Sequence, residues 1–244
     1  MKQSVFKILE NEKIAADVFK MTLSGDISEI TAPGQFVNIK LNGFYLRRPI
    51  SVCDAQDGVL TLIYKTVGGG TEKMSALGAG AELDLLTGLG NGFDTDRAGD
   101  TPLLIGGGVG APPMYLLCKR LVKQGKSVTA VLGFNSKKDV FLVDELRALG
   151  ARVLVATADG SLGERGFVTD ILPRDYSYFY ACGPEPMLKA VYGKTKAEGE
   201  LSFEERMGCG FGACMGCTCR TRYGNKRICR DGPVLKKSEV IFDD

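Results

Sequence analysis

The chain contains no histidine. That removes histidine as acid or base, mixed cysteine–histidine zinc sites, and Rieske-type ligation of an iron–sulfur cluster. An excess of one charge is lacking too. The 31 basic and 29 acidic residues leave a net +2, so no nucleic-acid surface is expected. No window approaches ~18 consecutive apolar residues, so no membrane span is expected. The opening Met1-Lys2-Gln3-Ser4-Val5-Phe6-Lys7-Ile8 has no apolar core of signal-peptide length, and a cytoplasmic location is expected. In that reducing compartment the eight cysteines point to metal binding or catalysis rather than to disulfides.

Four of those cysteines cluster near the C-terminus: Cys209, Cys214, Cys217 and Cys229. Their order is Cys-x4-Cys-x2-Cys followed by a later fourth, the spacing of a plant-type two-iron, two-sulfur (2Fe–2S) cluster. Gly208, Gly210, Gly212 and Gly216 run through the same loop and let backbone N–H groups approach the cluster sulfurs. Zinc on four thiolates is the alternative. Such sites usually show two short Cys-x-x-Cys pairs, and only Cys214 with Cys217 makes one. Cys219 would share a strand face with Cys217, so alternation leaves it open as a ligand. Motif spacing favours Cys229. Cys53 and Cys118 read as core fillers.

At 244 residues the chain can build two compact domains and a small appendage. The first ~97 residues read as short strands at Val5–Leu9, Asp17–Leu23, Gln35–Leu41, Arg48–Val52, Val59–Tyr64 and Glu82–Leu86, separated by turn signals such as Asn42-Gly43 and Asp57-Gly58. That spacing predicts a small antiparallel barrel, with one short helix after Gly68-Gly69-Gly70. Asn91 to Thr101 is a polar linker. After it strands and helices alternate: strands at Pro102–Ile105, Ser127–Gly133, Arg152–Thr157, Tyr178–Cys182 and Leu201–Arg206, and helices at Pro112–Gln124, Val140–Leu149, Phe167–Leu172 and Glu185–Glu198. This pattern predicts βαβ units on a parallel sheet. The expected fold class is thus a β barrel plus an α/β domain plus a cysteine lobe, divided 1–97, 98–206 and 207–244.

Gly106-Gly107-Gly108-Val109-Gly110 joins a strand to a helix that starts with Ala111-Pro112-Pro113. Glycines there allow close approach of a pyrophosphate, and the helix start favours negative charge. Arg48-Pro49-Ile50-Ser51 offers an arginine and a hydroxyl on a barrel strand. Lys65-Thr66-Val67-Gly68-Gly69-Gly70-Thr71 offers a second anion site. Two phosphate-type sites in one barrel fit a dinucleotide such as FAD. Cys182-Gly183-Pro184 ends a strand at the carboxyl edge, where open α/β sheets bind ligands.

In these motifs the chain resembles the ferredoxin reductase superfamily. The run Glu205-Arg206-Met207-Gly208-Cys209-Gly210 through Cys229-Arg230-Asp231-Gly232-Pro233-Val234 narrows the resemblance to the electron-transfer subunits of B-type dihydroorotate dehydrogenases. The resemblance implies FAD held by Arg48, Pro49, Ile50, Ser51, Ile63, Tyr64, Lys65, Gly70 and Thr71, with Ser51 near the flavin ring and Arg48 and Thr71 near its phosphates. It implies a nicotinamide nucleotide site of Gly106, Gly107, Gly108, Val109, Gly110, Cys182, Gly183 and Pro184, and a 2Fe–2S cluster on Cys209, Cys214, Cys217 and Cys229. Related reductases often carry an arginine after the second strand's glycine. Here Phe134-Asn135-Ser136-Lys137-Lys138 follows Gly133, so NAD as the nucleotide is implied by the resemblance alone. The implied partner is a catalytic dihydroorotate dehydrogenase subunit carrying FMN, in a heterotetramer, with electrons from dihydroorotate reaching NAD in pyrimidine synthesis. Two other readings stay open: a reductase subunit of the same build serving a ferredoxin or a sulfur-reducing complex, and a zinc-stabilised nucleotide-binding module without enzymatic activity.

Overall fold

A computed structural model describes residues 1–242. The N-terminal strands are β1 (Lys2–Ala15), β2 (Val18–Ser24), β3 (Phe36–Ile39), β4 (Arg48–Gln56) and β5 (Val59–Lys65), then a short helix α1 (Gly69–Ser75) and β6 (Glu82–Leu89). They close into an antiparallel barrel in the order β1-β2-β5-β4-β3-β6. Alternation decides which side chains fill it. Leu60, Leu62 and Tyr64 of β5 point into the barrel core, while Ile63 joins the core of the next domain. β1 is far longer than its apolar core Val5–Leu9. It pairs first with β6 and then with β2, around a bulge between Ile8 and Glu10. Its outer face is polar, so periodicity marks only its middle.

After a linker that includes a 3-10 turn at Thr95–Arg97 come β7 (Leu103–Gly107), α2 (Ala111–Lys123), β8 (Thr129–Phe134), α3 (Val143–Ala148), β9 (Arg152–Thr157), β10 (Glu164–Arg165), β11 (Phe179–Cys182), α4 (Glu185–Lys194) and β12 (Gly199–Ser202). The expected helix at Phe167–Leu172 is only a 3-10 turn at Val168–Asp170. Asp170 accepts the Phe167 N–H, a local alternative that competes with continuing a helix. The strand expected over Leu201–Arg206 stops at Ser202, where the charged run Glu204-Glu205-Arg206 leads out of the sheet. The C-terminal lobe adds β13 (Thr218–Thr221), β14 (Gly224–Arg227), a one-turn helix α5 (Ile228–Asp231) and β15 (Val234–Lys236).

The sheet order is β10-β9-β8-β7-β11-β12-β15. All pairs are parallel except β12 with β15. β15 thus carries the C-terminal lobe back onto the edge of the parallel sheet, which alternation in a three-residue strand could not reveal. α2 wedges between sheet and barrel: Met114, Leu117, Cys118 and Leu121 share one core with Cys53 and Ile63. Lys119 pairs with Asp54 at 2.7 Å across the same junction. On the other face Phe36, Leu86 and Leu89 of the barrel pack with Ile228 and Cys229 of the lobe. Among the described residues no helix is long and apolar enough to cross a membrane.

Candidate functional site: two thiol pairs and a nucleotide cleft

The four cysteines meet as two pairs. Cys209 Sγ accepts the N–H groups of Ala213 (3.2 Å) and Cys214 (3.4 Å), and Cys214 Sγ accepts the Cys209 N–H at 3.4 Å. Cys217 Sγ accepts the Cys229 N–H at 3.4 Å. Burial pushes the Cys209 thiol up. The N–H groups of Phe211 and Cys214, the Cys214 thiol and the Ala213 N–H outweigh it and bring it down to about 6. Burial, then the Cys217 thiol, push Cys229 up to about 12; a coordinated metal deprotonates such a thiol outright. The thiols stand two and two, an arrangement that suits a two-iron cluster, which takes two thiolates at each iron. Cys219 lies on the hairpin opposite Lys226 and lines a separate cavity of about 170 Å³ with Phe203 and Glu205.

The loop itself is pinned from behind. Arg227 Nη1 donates to the Gly212 carbonyl at 2.8 Å, and Asp231 holds Arg227 through its backbone N–H and Nε at 3.0 and 3.2 Å. The Asp231-Gly232-Pro233-Val234 signature also docks on the linker: Asn91 donates to the carbonyls of Gly232 (2.7 Å) and Val234 (2.8 Å) and accepts the Val234 N–H. The most specific stretch of the sequence is thus a clamp that seats the lobe.

The second feature is a cleft of about 570 Å³ between barrel and sheet, within the size range of cofactor pockets. Gly107, Gly108, Val109, Gly110, Gly183, Pro184 and Lys65 line it. It opens where the chain order reverses around β7, with β8 on one side and β11 on the other, the switch point at which open α/β sheets take ligands. Gly110 must lack a side chain: a Cβ there would sit 2.2 Å from the Cys182 carbonyl oxygen. Gly106 and Cys182 lie buried beneath the cleft floor. Burial pushes the Cys182 thiol up to about 12, so it stays neutral at physiological pH. Sequence reasoning missed Val18, Phe134, Asn135, Asp139, Phe167, Met187 and Glu204, which are also part of the lining. Phe134 ends β8 and Asn135 follows it, so both were reachable by the edge rule. Phe167 carries no such signal.

The barrel residues form a third group. The Arg48 guanidinium lies over the Phe44 ring, 4.9 Å from its centroid, and Nη1 donates to the Leu46 carbonyl at 2.7 Å. A Cβ at Gly70 would stand 2.1 Å from Arg48 Nε, so Arg48 and Gly70 are brought together. The Thr71 hydroxyl accepts the Val67 N–H at 2.9 Å and donates to the Gly68 carbonyl at 3.0 Å, shaping its own loop. The Tyr64 side chain faces the barrel core, its hydroxyl donating to Asn11 Oδ1 at 2.9 Å; only its backbone faces outward. Pro49 and Ser51 pair across the ladder with Asn38 and Phe36, so these four side chains share the outer face while Val37 and Ile39 fill the core.

Comparisons with known proteins agree with this layout. Residues 204–241 match the family model for the iron–sulfur cluster binding domain of dihydroorotate dehydrogenase B, and residues 104–192 match the oxidoreductase NAD-binding domain. The chain is 44% identical to the dihydroorotate dehydrogenase B (NAD(+)) electron transfer subunit of Geobacillus sp. (strain WCH70), covering 99% of this chain and 100% of that one. It is 45% identical to the subunit of that name from Bacillus velezensis, again over 99% and 100%. Among solved structures, the NADH-dependent reduced ferredoxin–NADP oxidoreductase aligns with a TM-score of 0.88 at 31% identity, over 97% of this chain and 89% of that one. A ferredoxin NADP+ reductase from Neisseria gonorrhoeae aligns at 0.69 and 17% identity over 80% and 90%, a likeness of fold. With paired thiols, switch-point cleft and full-length identity in accord, the chain belongs to the family of electron transfer subunits of dihydroorotate dehydrogenase B (NAD(+)), oxidoreductase subunits that work with a catalytic partner.

Proposed function

We propose that this subunit carries electrons between a nicotinamide nucleotide in the cleft and the FMN of a catalytic dihydroorotate dehydrogenase subunit. FAD would lie against the outer face of β4, and a 2Fe–2S cluster on Cys209, Cys214, Cys217 and Cys229. One observation carries the reading: β4 lies between β5 and β3. Lys65 of β5 lines the cleft, and Phe36 of β3 packs in one core with Cys217 and Cys229. A group held on β4 is therefore flanked by both partners it must serve. When bound, a flavin exchanges hydride pairs with a nicotinamide and single electrons with a cluster.

The chain's own residues supply binding and orientation. The glycine turn Gly107 to Gly110 and Gly183-Pro184 form the nucleotide floor, with Gly106 and Cys182 buried beneath it. Arg48, set over Gly70, supplies a fixed positive charge for a phosphate, and Ser51 borders the ring, with Ile50, whose side chain packs against the barrel core, contributing backbone. Ile63, Tyr64 and Lys65 contribute backbone and, through Lys65, charge. Thr71 holds the turn that presents Gly70. Exposed Phe211 and Met215 flank Cys214 and offer apolar surface to the partner, in line with a heterotetramer. Residues 1–97, 98–206 and 207–244 serve as flavin, nucleotide and cluster domains, with β15 tying the last to the second. A reducing cytoplasm suits ligands that must remain thiolates.

Cys214→Ser tests the reading. The purified variant keeps its flavin bleaching by NADH within about twofold, while the complex loses dihydroorotate-dependent NAD reduction by at least about a hundredfold. Normal turnover in that complex overturns the cluster assignment. The likeness to the NADH-dependent ferredoxin–NADP oxidoreductase favours a second reading, a reductase serving a ferredoxin. Adding purified catalytic subunit or ferredoxin to the NADH-reduced chain separates the two by which one is reduced.

A further inference from the structure

We propose that Asn38 is a positioning residue that locks the cluster loop to the flavin side of the barrel. This rests on the function proposed above. Asn38 is 1% exposed, and its Nδ2 donates to the Cys209 carbonyl at 3.2 Å, 171 residues away in sequence. That carbonyl belongs to the peptide linking a cluster cysteine to Gly210. A hydrogen bond to the carbonyl polarises the peptide and strengthens its N–H as a donor. Gly210 lets the contact form. Its φ is +79°, and a Cβ there would lie 2.2 Å from Asn38 Nδ2.

The other flank of Asn38 is equally fixed. It stands opposite Pro49 of β4 and Leu86 of β6. Its own carbonyl accepts Arg47 Nη1 at 3.2 Å, and the same nitrogen donates to the Asp84 carboxylate at 2.9 Å. Its side chain therefore ties β3, the strand beside β4, to the first cluster cysteine. Its Oδ1 is buried and is the one side-chain atom of this kind, among the described residues, without a hydrogen-bond partner. Turning the amide over would set oxygen against the Cys209 carbonyl, so the orientation stands. With Oδ1 unpartnered, the hydrogen bond to Cys209 is the one that holds this buried amide, and it points to the cluster loop rather than to the barrel core.

The test uses the full chain loaded with its cofactors, as wild type, Asn38→Ala and Asn38→Asp. Flavin reduction by NADH is followed by stopped flow, and the reduced cluster by electron paramagnetic resonance and iron content. Expected is flavin reduction within about twofold of wild type. Cluster reduction then slows at least about tenfold, with an altered resonance line shape or selective iron loss, because small displacements of a positioned group carry large rate penalties. Two outcomes overturn the proposal. One is an unchanged cluster signal and rate in both variants. The other is parallel loss of flavin and iron in both, which marks a purely structural residue. A wild-type chain that takes up no flavin or no iron overturns the underlying function instead.

Discussion

At single residues, the decisive effects are steric and electrostatic. Gly110→Ala places a Cβ against the Cys182 carbonyl, and backbone on both sides cannot yield. We expect a loss of roughly 1–3 kcal/mol in urea unfolding and weaker NADH-driven flavin reduction. Glu200 shows a different effect. It is 3% exposed, and burial, opposed by the Asp94 N–H, raises its carboxyl from 4.5 to about 7. The folded chain therefore holds a proton that the unfolded chain has released between those values. Stability falls as pH rises through that window and levels off above about 7. The penalty is on the order of 3 kcal/mol at 1.36 kcal/mol per pH unit. Glu200→Gln removes it, so urea midpoints at pH 5 and pH 8 should differ less in the variant than in wild type. The cysteine spacing and the glycine turn were legible because local chain geometry imposes them. Asn38 and Glu200 were not, because an isolated Asn or Glu in a strand acquires meaning only from what folds over it.

Among the elements, alternation worked where one face meets a core. β5 sorts Tyr64 inward and Ile63 outward, although the resemblance had assigned both to one ligand. The full length of β1 and the whole of β15 escaped for opposite reasons: one has a largely solvated outer face, the other is three residues long. The lobe depends on its clamp. Asp231→Ala leaves Arg227 without its partner and slackens the hold on the Gly212 carbonyl. Loss of such a charged hydrogen bond costs roughly 1.5–3 kcal/mol. It should appear as iron content below half of wild type after desalting, with flavin content unchanged. Equal loss of both groups would place the damage in the barrel instead.

For the whole molecule, the cleft belongs to neither domain alone. Val18 and Lys65 come from the barrel, while the remaining lining comes mainly from the sheet's loops. α2 fixes their separation through the shared core and through Lys119–Asp54 and Arg120–Thr31 contacts. Ligand binding and stability are linked for any group held only by the folded chain, as FAD on β4 would be. FAD at 100 times its dissociation constant should stabilise the folded chain by about 2.7 kcal/mol, read as a concentration-dependent rise in thermal midpoint. A midpoint insensitive to FAD would contradict flavin binding to the native state.

The sequence by itself determined the chemistry on offer. It set thiolates at two-iron spacing, a glycine turn before a helix, and periodicities that specify a barrel followed by βαβ units. Those signals are local, carried by residues a few positions apart. Tertiary structure alone decided which groups meet. It set β4 between cleft and cluster lobe, returned β15 to the parallel sheet, and brought Asn38 to Cys209. Such contacts depend on strand order and long-range closure, and residue identities along a chain encode neither until the cores that bring them together have formed.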